Sequence, residues 1–163
     1  MAIDGTASPR SVRRGPAPVT RDQAAELVED LTREWLADAE SAVEWAGAHE
    51  SKWGIRLRQE AREATTIWFS IGDRTVGYEA YLLPKPRYRR EEVYRQCLAR
   101  NHRSWPAAIS VDDRGDLLIR GRIPLSDLSR RRLDEAVGAV FELVELSFRS
   151  LARAGFVPRE KTR

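Results

Sequence analysis

Cysteine occurs once, at Cys97, so no disulfide can form within the chain. Histidine occurs twice, as His49 and His102, and lysine three times, as Lys52, Lys85 and Lys161. These few nitrogen and sulfur ligands, with scattered carboxylates, show no metal-ligand spacing. Gly72, Gly115 and Gly121 are dispersed and form no phosphate-cradling loop. No apolar run approaches the roughly 20 residues of a membrane helix, and the N-terminus lacks the apolar stretch of a secretion signal. The expectation is a cytoplasmic protein with no metal, no cofactor, no membrane contact and no small-molecule substrate.

What is present is enough for one domain with a real core. The chain has 163 residues, 42% hydrophobic and 33% charged. Its pI near 9.3 has a local source. Arg10, Arg13, Arg14 and Arg21 against Asp4 give residues 1–21 a net +3, which is the charge of the whole chain. The body is therefore neutral, which argues against a domain that neutralises many phosphates. Residues 1–19 lack periodic apolar positions and read as a disordered basic tail. A single domain is expected over 20–157, with a frayed tail at 158–163.

The stretch Thr65 to Leu83 reads as two strands around Gly72-Asp73. A type II′ turn there sets Ile71 opposite Arg74, Phe69 opposite Val76 and Trp68 opposite Gly77. Alternation then gives a core face of Ile67, Phe69, Ile71, Val76, Tyr78, Ala80 and Leu82. The other face is polar apart from Trp68 and Tyr81. Trp68 either covers the bare backbone of Gly77 or belongs to a ligand-contacting surface.

Thr20 with Gln23 marks a capping box, and apolar spacing carries a helix to about Asp38. Residues 39–50 are ambiguous, with Gly47 breaking a weak alternation. Residues 52–58 alternate as a half-buried strand. Glu91 to Arg103 reads as a second helix, stopped by Pro106. Ala107–Val111 and Leu117–Ile123 are strands about a turn made by Asp112, Asp113, Asp116 and Gly115. Ser129 caps a long helix reaching about Ala154, closed by Gly155. Its core stripe is flanked by Ala136, Ala139, Leu143 and Leu146, an arc broad enough for a sheet and a second chain. Arg130 to Arg132 crowd its first turn, where the macrodipole disfavours cations. They are offset by Asp134 and Glu135, or they meet an acidic partner.

No reactive groups converge. Cys97 falls on the apolar side of a helix, and His102 is five residues on, about 140° round it. No catalytic residue is assigned. Binding is better supported: a sheet backed by helices on one face leaves the other face or an edge free. Trp68, Tyr81, Leu118, Arg120 and Arg122 are candidate lining residues. Arg120 and Arg122 also read as solvated residues or as guards of a sheet edge.

The segments TVGYEAYLL (75–83), EEVYRQCLARN (91–101), DDRGDLLIRGRIPL (112–125) and LDEAVGAVFELVELSFRSLARAGF (133–156) carry a resemblance. In this order they resemble the actinobacterial branch of the YbjN family, labelled sensory transduction regulators. Similar proteins show an acidic first turn where this chain has Arg130 to Arg132. The resemblance implies an α+β fold like the type III secretion chaperones: three helices and about five antiparallel strands, in the order α-β-β-β-α-β-β-α. It also implies a non-enzymatic module binding a protein or peptide, as a homodimer. The alternative is a transcription-linked regulator using its basic tail on nucleic acid.

Overall fold

The computed structural model describes residue 17 and residues 19–159. Most of the expected basic tail and residues 160–163 lie outside the described residues; Val19 packs against the core. The elements are α1 (Arg21–Ala37), β1 (Val43–His49), β2 (Lys52–Arg58), β3 (Ala64–Ile71), β4 (Thr75–Leu83), α2 (Arg90–Asn101), β5 (Ala108–Val111), β6 (Leu117–Pro124) and α3 (Arg130–Phe156). The strands form one antiparallel sheet in the order β1-β2-β3-β4-β6-β5. The α+β class is as expected, with six strands instead of about five. The extra strand is β1, from the stretch left ambiguous. Its Gly47 does not break the strand; it pairs with Gly54 of β2, and Glu50 turns the hairpin at φ 52°.

The register of the central hairpin differs from the expected one. Ile71 pairs with Val76, Phe69 with Tyr78 and Trp68 with Glu79. Gly72 does not adopt positive φ as a type II′ turn requires; its N–H donates to Thr75 O at 2.9 Å. The slip is two residues, so the pleat keeps every side chain on its expected face. Ile67, Phe69, Val76, Tyr78, Ala80 and Leu82 are buried and Ile71 is half-buried.

That face is the core, and all three helices pack on it. The helix α1 lies on β1 to β3, α3 on β4 and β6, and α2 beside β5 and against α3. Thr20 and Gln23 close the expected capping box, with bonds of 3.2 and 2.9 Å. Buried Thr32 joins α1 to the sheet: its hydroxyl donates to Val28 O at 2.8 Å and accepts the Trp53 indole N–H at 2.8 Å. The β2–β3 connection is tied to α3, where the Glu145 carboxylate accepts the N–H groups of Glu60 and Ala61, both at 3.0 Å.

The long helix runs past Gly155. This glycine is buried inside the last turn, where an added Cβ would sit 3.1 Å from Pro86. The free carbonyls of that turn are met from the β4–α2 loop. Arg87 and Tyr88 N–H donate to Gly155 O, and the Arg89 guanidinium donates to Arg153 O and Val157 O.

Replacing Thr32 by Val keeps the shape and removes the acceptor of a half-buried indole N–H. The expected loss is about 1–3 kcal/mol, read by urea unfolding; an unchanged midpoint contradicts the role given to Thr32.

Candidate functional site

The β4–β6 pairing brings the five candidate lining residues onto the open face of the sheet. Tyr81 lies beside Leu118, Glu79 beside Arg120 and Gly77 beside Arg122, while Trp68 neighbours Glu79 from β3. Arg120 Nε donates to Glu79 Oε2 at 2.9 Å, so that arginine is paired within the chain. Tyr81 is 46% exposed, and its hydroxyl lies 3.4 Å from Asp116 Oδ2. Burial, then the Asp116 charge, raises the Tyr81 pKa.

Trp68 does not cover Gly77. Its ring lies over Gly54 of β2, where an added Cβ would meet ring carbons at 2.5 Å. Trp45 of β1 lies over Gly47 in the same way and meets Trp68 edge-on, ring centroids 6.1 Å apart. His49 tilts against Trp68, with ring centroids 5.6 Å apart. Paired glycines thus seat two indoles low on the sheet, a known use of aromatics over strand glycine. Trp45 and His49 went unread because the strand carrying them was unread; the alternation of Val43 and Trp45 was the available signal.

Beside this aromatic pair runs an open groove of about 640 Å³ across β2, β3, β4 and β6. Trp68 forms one side, Ser70 and Gly77 keep the floor low, and Lys52 and Arg122 stand at its ends. Lys52 and Arg122 have no ion-pair partner among the described residues. They are three strand spacings apart, roughly 14 Å. With the Glu79–Arg120 pair self-neutralised, the groove presents two free positive charges on either side of a small-residue floor.

The second group of candidates separates. Ala136 is buried in the chain's own core, and Leu143 is buried too, reaching the surface only at the floor of a groove. Ala139 is half-buried, and Leu146 is 67% exposed. The arginines at the start of α3 have partners: Arg130 pairs with Glu34 of α1, and Arg131 and Arg132 with Glu135. These hydrogen bonds hold the Glu34 and Glu135 carboxyls below the usual carboxylate range. Asp134, expected to share that task, makes no ion pair among the described residues.

No catalytic grouping forms around Cys97. It is buried against the sheet side of α2, whereas His102 caps the helix in solvent. Among the described residues no three His, Cys, Asp or Glu side chains come together as a metal site. The Asp112 carboxylate instead accepts the N–H groups of Arg114 and Asp116, each at 2.9 Å, and shapes the β5–β6 turn around Gly115 at φ 92°. No helix among the described residues is long and apolar enough to cross a membrane.

A family model described as "Putative bacterial sensory transduction regulator" matches residues 19–153. An uncharacterized protein of Mycobacterium leprae is 35% identical over 102 residues, which are 63% of this chain and 55% of that protein. Uncharacterized proteins of Mycobacterium bovis and Mycobacterium tuberculosis are each 37% identical over 102 residues, 63% of this chain and 56% of theirs. The matched stretch spans little more than half the length of these curated relatives.

Burial pushes the Cys97 thiol up from 9.0 to about 11 and the Tyr78 hydroxyl from 10.0 to about 12. Both groups hold their protons longer folded than unfolded. Their stabilising contribution is complete below pH 9 and is lost as pH climbs through 11 to 12. Native protein at pH 8 should therefore react with a thiol reagent only after unfolding. Rapid modification of the folded chain at that pH contradicts the placement of Cys97.

Proposed function

The chain belongs to the YbjN family, and from that premise we propose a non-enzymatic regulatory module that holds an extended segment of another protein on its open sheet face. It acts in the cytoplasm, as a homodimer, in the manner of a secretion chaperone. The observation that carries this reading is the groove beside Trp68. One sheet face is spent on the helices, and the other offers an indole wall, a floor of Ser70 and Gly77, and two unpaired cations. A side chain laid on Trp68 gains apolar burial, and stacked aromatics contribute about 0.5–1.5 kcal/mol more. Lys52 and Arg122 favour acidic residues on either side of that anchor.

Extended peptides do not need a deep pocket. Main-chain groups supply affinity along a strand, and a few well-placed side-chain contacts supply selectivity. The outer edge of β1, beside Trp45, is open to such an addition. The alternative, nucleic acid held by the basic tail, draws on residues 1–21, which carry the net +3 of the whole chain and leave the rest neutral.

Screening displayed extended peptides against the full chain should enrich acidic segments with one aromatic or aliphatic anchor. Trp68→Ala and Arg122→Glu should each weaken the selected peptides about tenfold, as truncation of an interface anchor does. Binding should also fall as ionic strength rises. Selected peptides that bind both variants as well as the parent chain would refute the site, and a DNA affinity lost on removing residues 1–18 would favour the tail.

A further inference from the structure

A second exposed apolar surface lies on the helix layer. Trp105, in the loop after α2, is 86% exposed, and Leu146 of α3 is 67% exposed. Between them is a groove of about 210 Å³. Arg103 and Trp105 line one side, and Ala139, Glu142 and Leu146 line the other, with Ser147 at its base.

Three features of this groove are incomplete in a single chain. The Ser147 hydroxyl is fully buried and has no hydrogen-bond partner. Buried polar atoms are rarely left so, because an unmet one loses its solvation without return. Arg103 and Glu142 are exposed on opposite walls, and neither has an ion-pair partner among the described residues. The Trp105 indole carries a donor-only N–H, and it too has no partner among the described residues.

The exposed groups have their complements on the same patch. There is a knob and a hole, a cation and an anion. A surface that matches itself in this way suits a two-fold contact, where residue i meets j and j meets i. A purely acidic or purely basic partner would satisfy only one of the two free charges. We infer that the groove between Trp105 and Leu146 is where two copies of this chain meet. Trp105 of each copy enters the groove of the other, and Glu142 of each faces Arg103 of the second copy.

The outward strip of α3 fits this arrangement. Gly138, Glu142 and Leu146 are spaced four apart and all exposed. A Cβ at Gly138 would meet nothing within 4 Å, so the helix surface there is flat and open to close approach. Of the four residues the sequence offered for a second chain, Ala139, Leu143 and Leu146 line this groove, Leu143 from beneath, and Ala136 lies in the core away from it.

The inference rests on the homodimer proposed above and says where the copies touch. Sedimentation equilibrium on the full chain tests both parts separately. Wild-type chain should be dimeric. Trp105→Ala should raise the dissociation constant at least about tenfold, without unfolding, because the side chain is almost wholly exposed. Arg103→Glu and Glu142→Arg should each weaken the dimer similarly. Mixing those two variants should restore it, because every like-charge clash becomes an opposite pair in the mixed dimer. A wild-type chain that stays monomeric overturns the homodimer and this contact together. A dimer indifferent to all three substitutions, or no recovery on mixing, overturns the contact and leaves the homodimer standing.

Discussion

The structure depends on one constraint: three helices share a single face of a six-stranded sheet. Side chains alternate along a strand, so every residue committed to the core has neighbours committed to the opposite face. Ile67 and Phe69 are buried, and Trp68 between them must point away. Val76, Tyr78 and Ala80 force Gly77, Glu79 and Tyr81 outward in the same manner. The open face is therefore a direct product of core formation. Burial of Ile67, Phe69, Val76 and Ile119 contributes about 1.5–3 kcal/mol each. Exposed pairs such as Arg130 with Glu34, each more than half exposed, are screened by solvent and add little. Apolar burial sets the architecture, and charge does not.

This division explains how much was legible from the residues. Elements with strong periodicity were readable: α1 with its Thr20 cap, α3 with its Ser129 cap, and β6. The faces of β3 and β4 were readable even though their register was not. Turn chemistry decides which residues are opposite, and Gly72-Asp73 pointed to the wrong central pair. Core burial decides which residues share a face, and a two-residue slip leaves that untouched. What could not be read was long-range pairing. Nothing near Trp68 in sequence shows that Gly54 lies beneath its ring, and nothing near Arg130 shows Glu34 arriving from α1. Gly47 looked like a strand breaker because glycine usually weakens strands. Its purpose appears only once Trp45 is seen lying across it. Gly155 similarly looked like a helix stop, whereas close packing against Pro86 asks for a residue without a side chain.

The two surfaces that carry unsatisfied groups differ in kind. On the sheet, the unpaired groups at the groove ends are both cationic, and the apolar element is an indole already supported by its neighbours. Such a surface complements something unlike itself. On the helix layer the unpaired groups have opposite signs, and the exposed indole adjoins a groove. That is the pattern on which the contact between two copies is proposed. Sign distribution, more than hydrophobic area, separates a site for a foreign segment from a site for self-association.

The placement of the two surfaces has a consequence for binding strength. The groove by Trp105 belongs to the helix layer, and the groove by Trp68 lies on the opposite side of the sheet. Copies joined through their helices keep both sheet faces free. A dimer so built presents two equivalent segment-holding faces in a fixed relation. A partner with two suitable segments then meets the second face as an intramolecular event, at an effective concentration set by the linker between the segments. Shallow grooves with a few contacts bind weakly one at a time. Pairing them would raise avidity without any new contact, so the dimer proposed above would give modest grooves a usable affinity through the layer that does not bind.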